Sequence, residues 1–326
     1  MRDFGHDVTV FAGPATVPTP GDLRVVPIVA REPDCTGCER TDNPMPPGRW
    51  ESEDAGYRAV LAAVAEPGAF DVVHNNSLHY LPPALSDQLE VPMVHTLHSP
   101  PFDTLHLAHL HRARHAERHG DVVAVSDSLR RTWGSLATTV VPNGVRTEDW
   151  TFGDAPDRSC VWMGRIVPEK APHLAIDAAR LAGRPITLAG PVQHMRYFED
   201  QVKPRLGADA RWVGHLDTAG LSALCRSAAV GVVTPQWDEP FGLVIAEMLA
   251  CGTPVAAFAR GAITELVVPG VGATAPPDDV VSLAGAIDAA ARLDRQVCRK
   301  HAVAHLSARA MAARYVGLYR AVMAQR

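Results

Sequence analysis

The chain has 326 residues, 47% hydrophobic and 21% charged, which is material for two ordinary domains rather than one small core. With 25 Gly and 27 Pro the composition stays well short of a disordered one, and 31 basic against 36 acidic residues, a formal charge of −5, give no electrostatic reason to bind nucleic acid. The longest apolar runs, such as residues 59–65, fall far below the ~18 residues of a membrane span, and Asp3 and Asp7 sit where a secretory leader needs an apolar stretch, so the chain reads as cytoplasmic.

In chain order, short β-branched runs alternate with amphipathic stretches, the pattern of a parallel sheet covered by helices on both faces. The fold class is α/β. Strands are predicted at 7–12, 24–29, 70–74, 92–97, 122–125 and 139–141, with helical patterns between most of them. Residues 31–57 break the rhythm: rich in Pro, Gly and charge, with no period until Glu51, they read as a long loop. Cys35 and Cys38 make a lone CxxC there, weak as a zinc or redox motif without a second pair, and read as part of the loop. The helix predicted at 105–120 places His111, His115 and His119 at i, i+4 and i+8, a spacing open to a transition metal. Arg112, Arg114, Glu117 and Arg118 mark that helix as solvated, and no metal site is assigned.

The polar, turn-rich run PNGVRTEDWTFGDAPDRS sets a domain boundary near residues 149–156. Strands recur at 159–163, 185–189, 210–213, 229–234 and 254–258, each followed by a helix candidate, and two long helices close the chain at about 278–293 and 305–323. Cys160, Cys225, Cys251 and Cys298 sit singly in apolar patterns and read as buried thiols. Two doubly wound domains in series direct ligands to a cleft outside the C-terminal ends of the strands. No GxGxxG follows a strand, and GxxxxGK[ST], HExxH and GxSxG are absent, which argues against dinucleotide redox, P-loop and the corresponding hydrolytic chemistries.

The most informative segment is WDEPFGLVIAEMLACGTPVAAF. A strand ends at Thr234 and a helix is predicted to begin near Phe241, with Glu239 and Glu247 flanking its start. The free amides of Gly242, Leu243 and Val244 and the helix dipole form an anion site suited to a diphosphate, and Gly242 lets a phosphate approach the backbone. One carboxylate is then within reach of a sugar ring and the other of a ribose diol; alone, the two serve equally as a dipole partner and a surface helix residue. GRIVPEKAP adds Arg165 and Lys170 at the edge of the first strand of the second domain, two cations for a departing nucleoside diphosphate where no metal is supplied. His98 follows an apolar strand at its C-terminal edge, where site residues and structural histidines are both found, whereas His95 alternates within the strand and reads as packed.

The segments GHDVTVFA, DVVH, VPMVHTLHSP, VAVSDSL, VVPNGV, MGRIVPEK, LAGP, VGHL and EPFGLVIAEMLACGTPV occur in this order over nearly the whole chain. On them the sequence resembles the retaining glycosyltransferases of family 4 (glycosyl transferases group 1), of GT-B fold, the E-x7-E motif being the most specific. The resemblance implies two doubly wound, Rossmann-like domains facing a cleft, and transfer of a sugar from a nucleoside-diphosphate sugar to the hydroxyl of a small-molecule, saccharide or lipid acceptor with retention at the anomeric carbon. It implies neither cofactor nor metal. It assigns Glu239 to donor-sugar hydroxyls, Glu247 to the ribose, Arg165 and Lys170 to the diphosphate and His98 to the transferred sugar. Gly164, Gly190, Phe241, Gly242, Leu243 and Val244 line the donor site, with backbone groups near His215 and Leu216 beside the base. The domains are then 1–150 on the acceptor side, 151–305 on the donor side, and a closing helix, 306–326, packing back on the first. Family members open with a strand, a Gly-rich turn and a helix before the segment matching GHDVTVFA; this chain starts inside that helix, so the first strand is expected to be missing and its two neighbours to lack a shared partner. The reading from another class is a non-catalytic nucleotide-sugar-binding paralogue.

Overall fold

The computed structural model describes residues 1–13, 23–28, 49–115 and 121–324. Cys35, Cys38, His119 and residues 31–48 of the predicted loop lie outside them, as does the side chain of His115. The chain divides into two compact units, one of Met1–Val125, Leu129–Val141 and Ala312–Arg326, the other of Ser126–Ser128 and Pro142–Met311.

In the first unit β1 (Thr9–Ala12) pairs in parallel with β2 (Arg24–Pro27). The next element, α1 (Arg49–Ala65), corrects the sequence reading, because the last part of the predicted loop is helical. Leu61 and Val64, three residues apart on one face, bury against the unit, a tertiary gain that the Pro- and charge-rich residues upstream conceal. Then follow β3 (Val73–Asn75), α2 (Leu81–Leu85), β4 (Met93–Leu97), α3 (Asp103–His115), β5 (Val122–Ala124), α4 (Asp127–Trp133) and β6 (Thr139–Val140). The strands β3-β4-β5-β6 form one parallel sheet in that order, and β1-β2 form a second. Among the described residues no strand joins β1 to β3, so each has one edge without a paired strand. Phe11 of β1 and Phe70 just before β3 meet edge to face, ring centroids 5.9 Å apart.

The second unit runs β7 (Cys160–Met163), α5 (Pro172–Leu181), β8 (Ile186–Ala189), α6 (Met195–Tyr197), β9 (Ala210–Trp212), α7 (Thr218–Ser227), β10 (Val230–Val233), α8 (Leu243–Ala250), β11 (Val255–Phe258), α9 (Ile263–Leu266), β12 (Gly272–Ala275), α10 (Val280–Ala290) and α11 (Arg295–His305). Its sheet is wholly parallel, in the order β12-β11-β10-β7-β8-β9. Every residue of β7, β8, β10 and β11 is buried, which is why these strands read as continuous apolar runs rather than alternating ones. Trp162, Ile176, Leu188, Val230, Phe258, Leu283 and Ile287 form the core on one face. The helix starts are fixed locally: the Asp217, Asp279 and Asp294 side chains accept from the amides of Gly220, Ser282 and Gln296 at 2.8, 2.9 and 2.7 Å.

Two expectations are corrected at the end of the chain. The sixth strand, β12, reads GATA, whose small residues carry no strand signal; only pairing with β11 makes it one. The chain closes with three helices rather than two, because Asp294 caps an extra one, α11, which buries Arg295, Cys298 and Ala302. The last, α12 (Ala308–Met323), joins the first unit from Ala312 onward. There the Tyr315 hydroxyl meets Thr96 Oγ1 at 2.8 Å, and Tyr319 meets His74 Nδ1 at 2.6 Å, while His74 Nε2 lies 2.7 Å from Thr96. Burial pushes the His74 imidazole down to about 4, so it stays neutral in this network. Cys160, Cys225, Cys251 and Cys298 are free, buried thiols. No described helix is long and apolar enough to cross a membrane.

Candidate active site

In the second sheet the winding direction reverses between β7 and β10, the place where open parallel sheets hold their ligands beyond the strand ends. The chain leaving β7 carries Gly164 and Arg165, then a 3₁₀ turn, Pro168–Lys170, so Lys170 ends the turn just before α5. Ala171 follows with φ 43°, a left-handed conformation costly for a residue with a Cβ. It is held there by Thr234, at the end of β10, whose hydroxyl is 3.0 Å from the carbonyl oxygens of both Lys170 and Ala171. The Gln236 amide donates to the Glu169 carbonyl at 2.8 Å, tying the two loops together.

The loop after β10 carries Trp237, Glu239, Phe241 and Gly242 into α8. The helix begins at Leu243, two residues later than the sequence suggests: Phe241 is buried, and Gly242 turns the chain with φ 97°, a conformation that glycine adopts without strain. The Leu243 and Val244 amides open the helix and have no intrahelical acceptor. Glu239 and Lys170, 69 positions apart, form an ion pair of 2.6 Å with side chains 13% and 22% exposed. The Trp237 indole N–H donates to the same carboxylate oxygen at 3.0 Å, and Lys170 Nζ lies 5.3 Å from the indole centroid.

The side chain of Glu247, the fifth residue of α8, has no hydrogen-bond or ion-pair partner among the described residues, and burial raises its carboxyl from 4.5 to about 7. Arg165 donates to Gln193 Oε1, beyond β8, at 3.1 Å. Gly190, after β8, has φ 146°, and a Cβ there would overlap the Gly164 carbonyl, so the two strand ends approach as only glycine permits. The Trp212 indole N–H donates to the Gly190 carbonyl at 2.9 Å. His215 is exposed and Leu216 half-buried just past β9.

In the first unit His98 follows β4, and its Nε2 lies 3.1 Å from Asn76 Oδ1. An amide oxygen only accepts, so Nε2 is the donor in this contact, and burial lowers the His98 pKa, which favours the neutral ring. His95 is a packed histidine, as its alternation indicates: it is 1% exposed, and its Nδ1 accepts from Asn75 Nδ2 at 3.2 Å.

Of the residues singled out in the sequence, Lys170 and Glu239 are brought into direct contact, Gly242 lies beside Glu239, and Arg165 stands on its own partner, Gln193. Asn76, Gln193, Thr234 and Trp237 were not singled out as site residues. Only Trp237 carried a signal, a donor-only indole two residues before a candidate sugar-binding carboxylate. Among the described residues no group of three or more His, Cys, Asp or Glu is placed to hold a metal ion.

Two family models match the chain, Glycosyltransferase Family 4 over residues 1–149 and Glycosyl transferases group 1 over residues 154–303. A glycogen synthase from Mycobacterium tuberculosis is 33% identical over 72% of this chain and 63% of its own length, so the chain spans less than two thirds of that relative. A phosphatidyl-myo-inositol mannosyltransferase from Mycolicibacterium smegmatis is 30% identical over 88% of this chain and 77% of its own. Among solved structures, sucrose-phosphate synthase from Thermosynechococcus elongatus superposes with a TM-score of 0.77 at 23% identity, covering 100% of this chain and 91% of that one, a likeness of fold. With two Rossmann-like units, the E-x7-E segment at the sheet's reversal point and these matches along its length, the chain belongs to glycosyltransferase family 4 and has the GT-B fold.

Proposed function

We propose that this protein moves a sugar from a nucleoside-diphosphate sugar to an acceptor hydroxyl with retention of anomeric configuration, working in the cytoplasm without a metal or cofactor. The bond from C1 to the phosphate oxygen breaks, a bond from the acceptor oxygen to C1 forms on the same face, and the acceptor proton passes to the departing phosphate oxygen. The observation that carries the reading is the cluster at the β7/β10 reversal: Arg165, Lys170 and the opening amides of α8 for the diphosphate, with Glu239 beside them and the unpartnered carboxylate of Glu247 on the same helix. Charge growing on the leaving diphosphate is stabilised by those cations and amides, Glu239 orients the sugar, and Glu247 accepts from the ribose diol. His98 is assigned to the transferred sugar, units 1–150 and 151–305 to acceptor and donor.

Incubation with UDP-, GDP- and ADP-sugars, with and without small-molecule, saccharide and lipid acceptors, tests this. Acceptor-dependent nucleotide release, with a product whose anomeric coupling by NMR matches that of the donor, is the expected result. Binding without turnover across the panel points to a non-catalytic binding protein, and a product of inverted configuration removes the retaining mechanism.

A further inference from the structure

We propose that Trp237 is a positioning residue that holds Glu239 in place while Lys170 moves from that carboxylate to the donor diphosphate; the proposal rests on the donor-site reading above. A single oxygen of Glu239 accepts from both Lys170 Nζ, at 2.6 Å, and the Trp237 indole N–H, at 3.0 Å. The other oxygen has no partner among the described residues. A cation and a carboxylate assigned to different parts of the donor thus neutralise each other. Glu239 is an internal competitor for Lys170.

Only side chains need to move for the exchange. The Lys170 carbonyl is fixed by Thr234, and the Glu239 carbonyl accepts from the Ala262 amide at 2.8 Å. A diphosphate draws the Lys170 ammonium away and leaves the Glu239 carboxylate without its charged partner. The indole N–H is a donor only, never titrates, and sits on a side chain with two rotatable bonds, so it keeps one carboxylate oxygen anchored and the other aimed outward. Sugar recognition through Glu239 is thereby coupled to diphosphate recognition through Lys170.

The test is calorimetry with UDP, ADP and GDP and with their glucose conjugates, on the wild type, Glu239→Gln and Trp237→Phe. Phe keeps an aromatic ring near Lys170, smaller than the indole, and deletes the N–H donor. Glu239→Gln is expected to tighten the bare diphosphate by about threefold, since it releases Lys170, and to weaken the conjugate. Trp237→Phe is expected to leave the bare diphosphate within about twofold and weaken the conjugate by about tenfold, the scale of a hydrogen bond to a charged group. The indole ¹⁵N–¹H resonance of Trp237, assigned by its loss in Trp237→Phe, is expected to shift in Glu239→Gln, a response that a purely structural tryptophan does not give. If Glu239→Gln weakens the conjugate and Trp237→Phe does not, or weakens both ligands alike, the proposal is overturned while the donor site stands. An unmoved indole resonance, or a weaker bare diphosphate in Glu239→Gln, also overturns it. If Glu239→Gln leaves the conjugate unchanged, or none of the diphosphates binds, the donor-site reading fails and takes the proposal with it.

Discussion

Replacing Glu247 by Gln should stabilise the protein and weaken its ligand binding at the same time. The carboxyl has no partner among the described residues, and burial raises its pKa from 4.5 to about 7. At 1.36 kcal/mol for each pKa unit, that offset makes the ionised group about 3 kcal/mol less stable in the folded chain than in the unfolded one. Gln is isosteric and neutral, and its amide leaves polar atoms as unpaired as the protonated carboxyl does, so the remaining difference is the charge. The sign follows from linkage. A folded-state pKa above the unfolded value means that the wild type is at its best, for this group, below pH 4.5 and loses stability as pH rises to 7. The advantage of Glu247→Gln should therefore be near zero at pH 4, grow through pH 7, and level off at no more than about 3 kcal/mol by pH 8. Ribose hydroxyls donate to the ionised form, so wild-type affinity for a nucleoside diphosphate should fall below pH 7, by up to tenfold per pH unit, whereas the variant should bind weakly with no dependence there. Urea melts at pH 4 and pH 8, with calorimetry across pH 6 to 8, read both effects. A stability difference independent of pH, or unchanged affinity in the variant, would refute the reasoning and leave Glu247 as a helix-face residue.

Arg165→Ala and Lys170→Ala should lower turnover more than nucleotide-sugar affinity, because their stabilisation grows with charge on the leaving diphosphate; steady-state kinetics checks this, and loss of activity in EDTA with rescue by magnesium would contradict a metal-free leaving group. His98→Ala should keep the melting profile and bare-nucleotide affinity while depressing transfer, since its side-chain partner among the described residues is Asn76 on the adjacent strand end; equal losses of affinity and rate would place it elsewhere. Arg295→Met should cost more than about 3 kcal/mol in a urea melt, because the guanidinium donates to the Gly153, Ala228 and Arg226 carbonyls in a site 8% exposed, and each buried acceptor left unpaired costs about 1 to 3 kcal/mol. A loss under 1 kcal/mol would mean that water replaces it.

Much of the fold was legible in the sequence because buried parallel strands must be apolar throughout. Residues 159–163, 185–189, 229–234 and 254–258 read as strands for the same reason that β7, β8, β10 and β11 bury every side chain. The spacing from Glu239 to Glu247 and the strand-end positions of Arg165, Gly190 and His98 were legible too, since catalytic loops in such sheets follow strand ends.

The sequence could not reveal β12, where GATA becomes a strand through the hydrogen bonds that β11 offers, or the helical end of residues 31–57, where burial of Leu61 and Val64 overrides local composition. Nor could it show that Lys170 and Glu239 satisfy each other, that one carboxylate oxygen also takes the Trp237 N–H, or that burial raises the Glu247 carboxyl. Composition and spacing determine which groups reach a strand end. Which of them touch, and what their charges then cost, depends on distances of a few ångströms between residues far apart in sequence, and only the folded backbone sets those.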